Sequence, residues 1–407
     1  MEIQRTAYLD KIRKYYDSNL IKVLTGVRRC GKSILLEQIK NEIISSGVSD
    51  EGHIIAINFE DVAYAKITNY LKLNAYILKR IKDKKKYYIF LDEIQHVKQF
   101  EKVLSSLKAT QNVSIFVTGS NSKLLSGRLA SLLVGRCKEF KIFPFSYAEY
   151  LNYHTYNNLP LPEDSIQDFI RYGGMPQRLD YDNENDIKDY LSSLLNGIID
   201  KDICNPKSKV DKESFKVVAK YILNNIGKQF SVTNILESYN RQNDNKLYRE
   251  TIYRYLQKME SACLINRVDR YDIASKRNLK SIEKQYAIDP GFVLCVSNSN
   301  QIPVTHILEN IVYNELIYRG YIVLTGKTYK GEIDFVAMKD GKKCFIQVAY
   351  LLSSEEVIDR EFEAFNSVRD SAPKYVFSLD SFDMSRNSIT HLNIKKWLEQ
   401  KVDIVLS

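Results

Sequence analysis

The sequence is poor in the residues that mark linkers, disulfides and membranes. Among 407 residues there are only 8 prolines and 16 glycines, which leaves no composition for long disordered linkers. Six cysteines, Cys30, Cys137, Cys204, Cys263, Cys295 and Cys344, are scattered with no CxxC pair and no Cys/His cluster. That spacing excludes a zinc-ribbon pattern and a disulfide framework, and it fits free thiols in a reducing compartment. No apolar run approaches the ~18 residues of a spanning helix. The first residues, MEIQRTAYLDKIRKYY, carry charge throughout, unlike the apolar centre of a secretory signal. The expectation is a cytoplasmic protein without a membrane partner. There is no internal repeat and no low-complexity tract.

What is present is the composition of a globular protein, 44% hydrophobic and 27% charged, with length enough for two to four domains. The net charge is +9 and unevenly spread. Residues 205–285 hold 17 Lys and Arg against 9 Asp and Glu, a surplus of 8 in one fifth of the chain. A local basic surplus suits a polyanion-binding module, and equally a solvated basic surface.

Strand and helix patterns alternate first. IKVLT (21–25), HIIAINF (53–59), YYIFLD (87–92), VSIFVT (113–118) and CKEFKIF (137–143) read as strands. Residues 33–44, 69–81 and the segment FEKVLSSLKAT between YYIFLD and VSIFVT read as helices. That alternation predicts a mainly parallel sheet covered on both faces. From about Pro144 helical patterns take over, broken by the turn signal YGGMP (172–176). Three helices then two strands follow over 213–290. After Pro290 come a helix (303–319), three strands, a helix over about 355–369, the strand KYVFSLD and a last helix.

GVRRCGKS (26–33) fits G-x-x-x-x-G-K-[ST] at every fixed position, between a buried strand and a helix. Gly26, Val27, Arg28, Arg29, Cys30 and Gly31 form a loop whose N–H groups can turn toward phosphates. Lys32 reaches the β- and γ-phosphates, and Ser33, followed by Ile34, opens the helix and offers a hydroxyl to Mg²⁺. In YYIFLDE (87–93), Asp92 ends an apolar strand where open α/β sheets bind ligands. It is placed to hold the water shell of Mg²⁺, and Glu93 to polarise an attacking water. The pattern thus predicts binding and hydrolysis of ATP. In VTGSN (117–121), Ser120 or Asn121 is placed either to orient that water or to cap the next helix. Arg136, before CKEFKIF, is either a solvated loop arginine or one that neutralises charge on a neighbour's nucleotide.

Taken together, GVRRCGKS, FLDEIQ (90–95), TGSNSKLL (118–125), VGRCKEFKIFPFSYAEYL (134–151) and YGGMP resemble the AAA+ and STAND-like ATPases of bacteria and archaea. More narrowly they look like the family that pairs such a core with a restriction-endonuclease-like C-terminal domain. The resemblance implies an α/β fold with four parts. These are an ASCE-type P-loop core (1–143), a helical lid (144–204), a winged helix-turn-helix (205–290) and a PD-(D/E)xK-like domain (291–407). It implies ATP and Mg²⁺ as cofactors, Walker A at Lys32 and Ser33, and Walker B at Asp92 and Glu93. Sensor 1 falls at Ser120 or Asn121 and an arginine finger at Arg136, acting in its own subunit or in the next copy of a homo-oligomer. Gly174 and Pro176 resemble a nucleotide-contacting lid motif, with a tight interhelical turn as the alternative.

The winged-helix likeness puts a recognition helix at roughly 247–260, with Arg249, Arg254 and Lys258 interleaved with Tyr248, Tyr253 and Tyr255. Its wing offers Arg267, Arg270, Lys276, Arg277 and Lys280. Such a helix enters a major groove of double-stranded DNA, or the module docks a protein partner. In the last domain Asp334 and Glu309 match nuclease acids, but Gln347 and Ala349 stand where the second acid and the lysine belong. The site is therefore expected to be degenerate and silent. Three uses compete: a DNA-associated ATPase switch, a signalling or defence switch on a protein partner, and an active metal-dependent nuclease.

Overall fold

A computed structural model describes residues 3–119, 135–204, 210–296, 303–329 and 331–407. The chain forms two units, Met1–Phe143 with Ser261–Cys263, and Pro144–Glu260 with Leu264–Ser407.

The first unit contains α1 (Thr6–Arg13), β1 (Ile21–Thr25), α2 (Lys32–Ser45), β2 (Ile54–Asn58), α3 (Tyr70–Leu78), β3 (Tyr87–Asp92), α4 (Phe100–Thr110), β4 (Val113–Gly119) and β5 (Cys137–Lys141). The five strands run parallel in the order β2-β3-β4-β1-β5. The central strands β1, β3 and β4 are buried at every position, whereas the edge strands β2 and β5 are only partly so. Continuous apolar runs are what a sheet covered on both faces requires. Helix α4 presents Phe100, Val103, Leu104 and Leu107 to the core, a stripe at helical spacing. Lys22 interrupts the apolar run of β1 and is fully buried. Its ammonium donates to Ser114 Oγ at 2.6 Å, and burial pushes it down to about 7.

The second unit begins with helices α5 (Tyr147–Tyr156), α6 (Ser165–Tyr172), α7 (Glu184–Ile198), α8 (Lys212–Leu223), α9 (Val232–Gln242) and α10 (Arg249–Ser261). The hairpin β6 (Ile265–Asp272) and β7 (Arg277–Ala287) follows, then α11 (Gly291–Val296) and α12 (Val304–Tyr318). The remainder is β8 (Ile322–Lys327), β9 (Glu332–Lys339), β10 (Lys342–Val348), α13 (Glu355–Glu363), β11 (Lys374–Ser378), β12 (Ile389–Asn393) and α14 (Ile394–Leu398). A mixed seven-stranded sheet runs β12-β11-β10-β9-β8-β6-β7.

Four features of this unit depart from the sequence reading. The strands that the sequence gives to a wing pair directly with β8, Arg270 opposite Thr325, so one sheet runs through residues 265–393. Tyr147, Tyr150, Ile166 and Phe169, from the stretch read as a lid, share a core with Leu308, Val312, Phe377 and Trp397. The helix expected over 355–369 ends at Glu363 and tightens into a 3₁₀ turn, Ala364–Ser367. The strand β12, ITHLN, escaped detection because only two of its five residues are apolar.

Candidate functional site

The phosphate loop fills the gap between Thr25, where β1 ends, and Lys32, where α2 starts. A Cβ placed on Gly26 would stand 2.3 Å from the Ile142 carbonyl oxygen, so only glycine lets the loop lie this close to the chain leaving β5. Val27 and Cys30 are buried beneath the loop, with the Cys30 thiol 3.4 Å from that same carbonyl. Arg28 lies 3.7 Å from Glu60, Arg29 is exposed, and Ser33 stands exposed on the first turn of α2 with Ile34 half-buried behind it. The Lys32 ammonium is buried and folds back on the loop, donating to the carbonyls of Gly26 (3.1 Å) and Val27 (3.0 Å). Those two bonds leave one of its three donors for another acceptor.

The acidic pair faces the same edge. Leu24 of β1 lies opposite Thr118 of β4, and Leu91 of β3 opposite Val117, so the carboxyl ends of the three strands are level. Asp92 and Glu93 are both buried. The Thr118 hydroxyl donates to Asp92 Oδ1 and accepts the Glu93 N–H at 2.9 Å. Glu93 adopts φ 54 and ψ 48, a left-handed backbone that costs about 1 kcal/mol or more in a residue other than glycine. Gln95 Nε2 donates to Glu93 Oε2.

Thr118 was not singled out in the sequence, although its place beside the acidic strand end was the available signal. Arg5 was also missed. Its side chain is 1% exposed, and Nη1 donates to the carbonyls of Cys30 (3.1 Å) and Phe143 (2.9 Å). Tyr8 adds its hydroxyl, which accepts from the Phe143 N–H at 2.9 Å. Arg5 and Tyr8 thus tie the loop to the chain beyond β5. Their partners are backbone groups up to 138 residues away, which no local pattern encodes.

Arg136 is exposed and directly precedes β5. Because β5 runs parallel to β1, with Cys137 opposite Ile21 and Lys141 opposite Thr25, Arg136 belongs to the sheet edge opposite the phosphate loop. The strand's length separates them, about 15 Å at 3.3 Å per residue. Ser120 and Asn121 lie outside the described residues, as does the side chain of Lys280.

In the second unit, Gly174 of YGGMP has both backbone groups engaged. Its N–H donates to Asp289 Oδ2 (2.8 Å) and its carbonyl accepts from the Phe145 N–H (2.8 Å). Half-buried Pro176 starts a 3₁₀ turn, and the Arg178 that follows is buried, bonded to the Gly173 carbonyl and to Asp168. The backbone thus turns tightly between α6 and α7. Of the basic side chains read as DNA contacts, Arg249, Arg254, Arg267, Lys276 and Arg277 are exposed and Lys258 is half-buried. Arg267 pairs with Glu260 at 2.8 Å. Arg270 corrects that reading: it is 9% exposed and sits 3.7 Å from Glu332, because β6 turns it into the sheet's interior. Tyr255 is likewise buried, whereas Tyr248 and Tyr253 are exposed. Along α9, reaching the start of α10, runs an open groove of ≈ 650 Å³ lined by Thr233, Leu236, Glu237, Asn240, Arg241, Lys246 and Arg249. Glu309, Asp334 and Gln347 come together on α12, β9 and β10. Gln347 Oε1 accepts from the Asp334 N–H at 3.2 Å, and Asp334 Oδ2 accepts from the Val348 N–H at 2.8 Å.

A parallel five-stranded sheet with a phosphate loop and an acidic strand end resembles the core of AAA-type P-loop ATPases. Residues 18–151 match the family described as an AAA domain, and residues 163–302 match a domain of unknown function (DUF8612). An uncharacterized protein of Haemophilus influenzae is 31% identical over 407 residues, 98% of this chain and 99% of its own. The chain belongs to the family of that protein. A further relative, an uncharacterized protein of Methanocaldococcus jannaschii, is 32% identical over 367 residues, 85% of this chain and 78% of its own. The solved Walker-type ATPase of Pyrococcus abyssi has the same fold, with a TM-score of 0.50 at 16% identity over 72% of this chain and 96% of its own. Among the described residues no helix is long and apolar enough to cross a membrane.

Proposed function

We propose that the chain binds ATP with Mg²⁺ at Gly26–Ser33 and hydrolyses it, using the cycle to switch conformation or assembly on duplex DNA. The observation that carries this reading is the level meeting of Lys32, Asp92 and Glu93 at one sheet edge, with Thr118 bonded to both acids' positions. The donor set fits a triphosphate. The loop has a glycine that no side chain could replace, a buried ammonium with a spare donor, and the outward N–H groups of a helix's first turn.

Ser33 and Asp92 would hold Mg²⁺, which supplies charge neutralisation on the phosphate oxygens. Lys32 exchanges its loop carbonyls for phosphate oxygens. Glu93 takes a proton from the attacking water, and Gln95 holds its carboxylate in place. Thr118 keeps Asp92 turned toward the metal position while fixing the backbone of Glu93. Ser120 or Asn121 orients the water from beyond β4. Arg136, at the far edge of its own sheet, acts on the nucleotide of a neighbouring copy.

For DNA, α8, α9 and α10 with the β6–β7 hairpin serve as a winged-helix module. Arg249 and Arg254 on α10 would face the groove, and Lys276, Arg277 and Lys280 the backbone. The residues from Gly291 on serve as a nuclease-like scaffold that does not cut, since Ala349 offers no lysine. Duplex binding is tested across a salt series. The reading expects affinity to fall steeply with salt, and Arg249→Ala with Arg254→Ala to weaken it at least tenfold at low salt. Affinity indifferent to salt and to both substitutions would remove DNA from the account and leave the ATPase reading standing.

A further inference from the structure

The nuclease-like reading places a divalent metal near Glu309 and Asp334, yet the residues present do not fit one. Lys284 of β7 stands at the centre of the carboxylates. Its Nζ lies 2.5 Å from Glu332 Oε1, 2.9 Å from Glu309 Oε1 and 3.7 Å from Asp334 Oδ1. Lys284 and Glu309 are both buried. The oxygens of Glu309 are already used: Oε1 also accepts the Tyr286 hydroxyl at 2.5 Å, and Oε2 faces His306 Nδ1 at 3.3 Å. Arg270 stands a further 3.7 Å from Glu332 Oε2. Among the described residues, no group of three or more His, Cys, Asp or Glu side chains is arranged to hold a metal.

We propose that the Lys284 ammonium is a resident cation, occupying the position between Glu309, Glu332 and Asp334 that a divalent ion would take, so that this unit needs and binds no metal there. A buried lysine holds its proton firmly where nearby negative charge compensates it. Burial alone would lower the Lys284 ammonium, but Glu309, Asp334 and Glu332 together hold it above its usual range. A second cation at this point would meet a fixed positive charge within contact distance and a Glu309 whose two oxygens are already engaged. The lysine missing from the sequence at Ala349 is thus present from another strand, but as a plug rather than as a partner to a metal. It also ties β7 to α12 and β9, which holds the hairpin to the rest of the sheet.

The test is thermal unfolding of the full chain with and without millimolar MnCl₂, in the absence of nucleotide, with calorimetric titration of Mn²⁺ alongside. A Lys32→Ala, Asp92→Asn background removes the contribution of the phosphate loop. In that background the chain with Lys284 intact should show no manganese-dependent shift. Adding Lys284→Ala removes the cation shared by Glu309, Glu332 and Asp334, so the midpoint should fall, and manganese should restore it. Adding Asp334→Asn to Lys284→Ala should abolish that restoration. A manganese shift with Lys284 in place that Asp334→Asn removes would overturn the proposal, as would a folded Lys284→Ala chain that manganese does not stabilise. If Lys284→Ala fails to fold, the chain with Lys284 intact still decides, because manganese binding there contradicts the plug.

Discussion

The hydroxyl of Thr118 joins two neighbouring acidic residues, donating to the carboxylate of Asp92 and accepting the amide proton of Glu93. One side chain on β4 therefore sets both the acid that ends β3 and the left-handed residue that follows it. Thr118→Val should leave nucleotide affinity within a few-fold of wild type but slow turnover about tenfold or more, the order expected when a general base is displaced. The buried donor and acceptor left behind should also cost about 1–3 kcal/mol of stability. Thr118→Ser should restore turnover. Nucleotide binding by fluorescence and single-turnover hydrolysis separate the two effects.

Arg136 precedes β5 at the edge away from its own phosphate loop, and that position makes a mixing experiment informative. Arg136→Ala and Lys32→Ala should each be inactive alone. If Arg136 serves a neighbour, mixing the two should regain part of the turnover, since some interfaces then pair an intact loop with an intact arginine. Mixtures that stay as inactive as either variant would remove the arginine-finger role.

Lys22 gives a pH signature. Its folded value of about 7 lies below the ordinary 10.5 because burial penalises the ammonium. The unfolded chain therefore binds more protons between these values, and stability should rise with pH across that window. At pH 7 and below the cost of the buried charge is largely present. Lys22→Met should stabilise the first unit by on the order of 3 kcal/mol at pH 7 and flatten the rise. Urea unfolding of both chains between pH 7 and 10 checks it.

Much of the first unit was legible because its signals are local. The apolar runs of β1, β3 and β4, the glycine-lysine loop and the acidic strand end are each contained in eight residues or fewer. What escaped is what depends on distant partners. Arg5 looks like any charged residue ahead of an amphipathic helix, and only the folded chain brings it to the Cys30 and Phe143 carbonyls. Lys284 lies in the basic segment with no local feature that sets it apart, and only the sheet brings it to Glu309 and Glu332. Arg270 misled for the same reason. Alternation along β6 puts it inward beside Glu332, while Arg267 remains outside.

The YGGMP turn offers a test of the second unit. Gly173 has φ +72, and a Cβ there would stand 1.9 Å from Asp289 Oδ1. Gly173→Ala should therefore destabilise the chain by on the order of 3 kcal/mol. Asp289 is pushed up to about 6 by burial, against the bonds it accepts from the Gly174 and Gly291 N–H groups. With the folded value above the unfolded one, its contribution is full below pH about 4 and is lost as pH rises through 6. Asp289→Asn should remove that slope, which denaturant titrations between pH 4 and 7 report.

The central claim is ATP hydrolysis at the edge where Lys32, Asp92 and Glu93 meet. Its most direct test is steady-state hydrolysis of Mg-ATP by wild type and Glu93→Gln, with nucleotide binding measured on the same samples. The account predicts turnover by wild type, and by Glu93→Gln a loss of at least a hundredfold with ATP still bound. Glu93→Gln hydrolysing at the wild-type rate would contradict it.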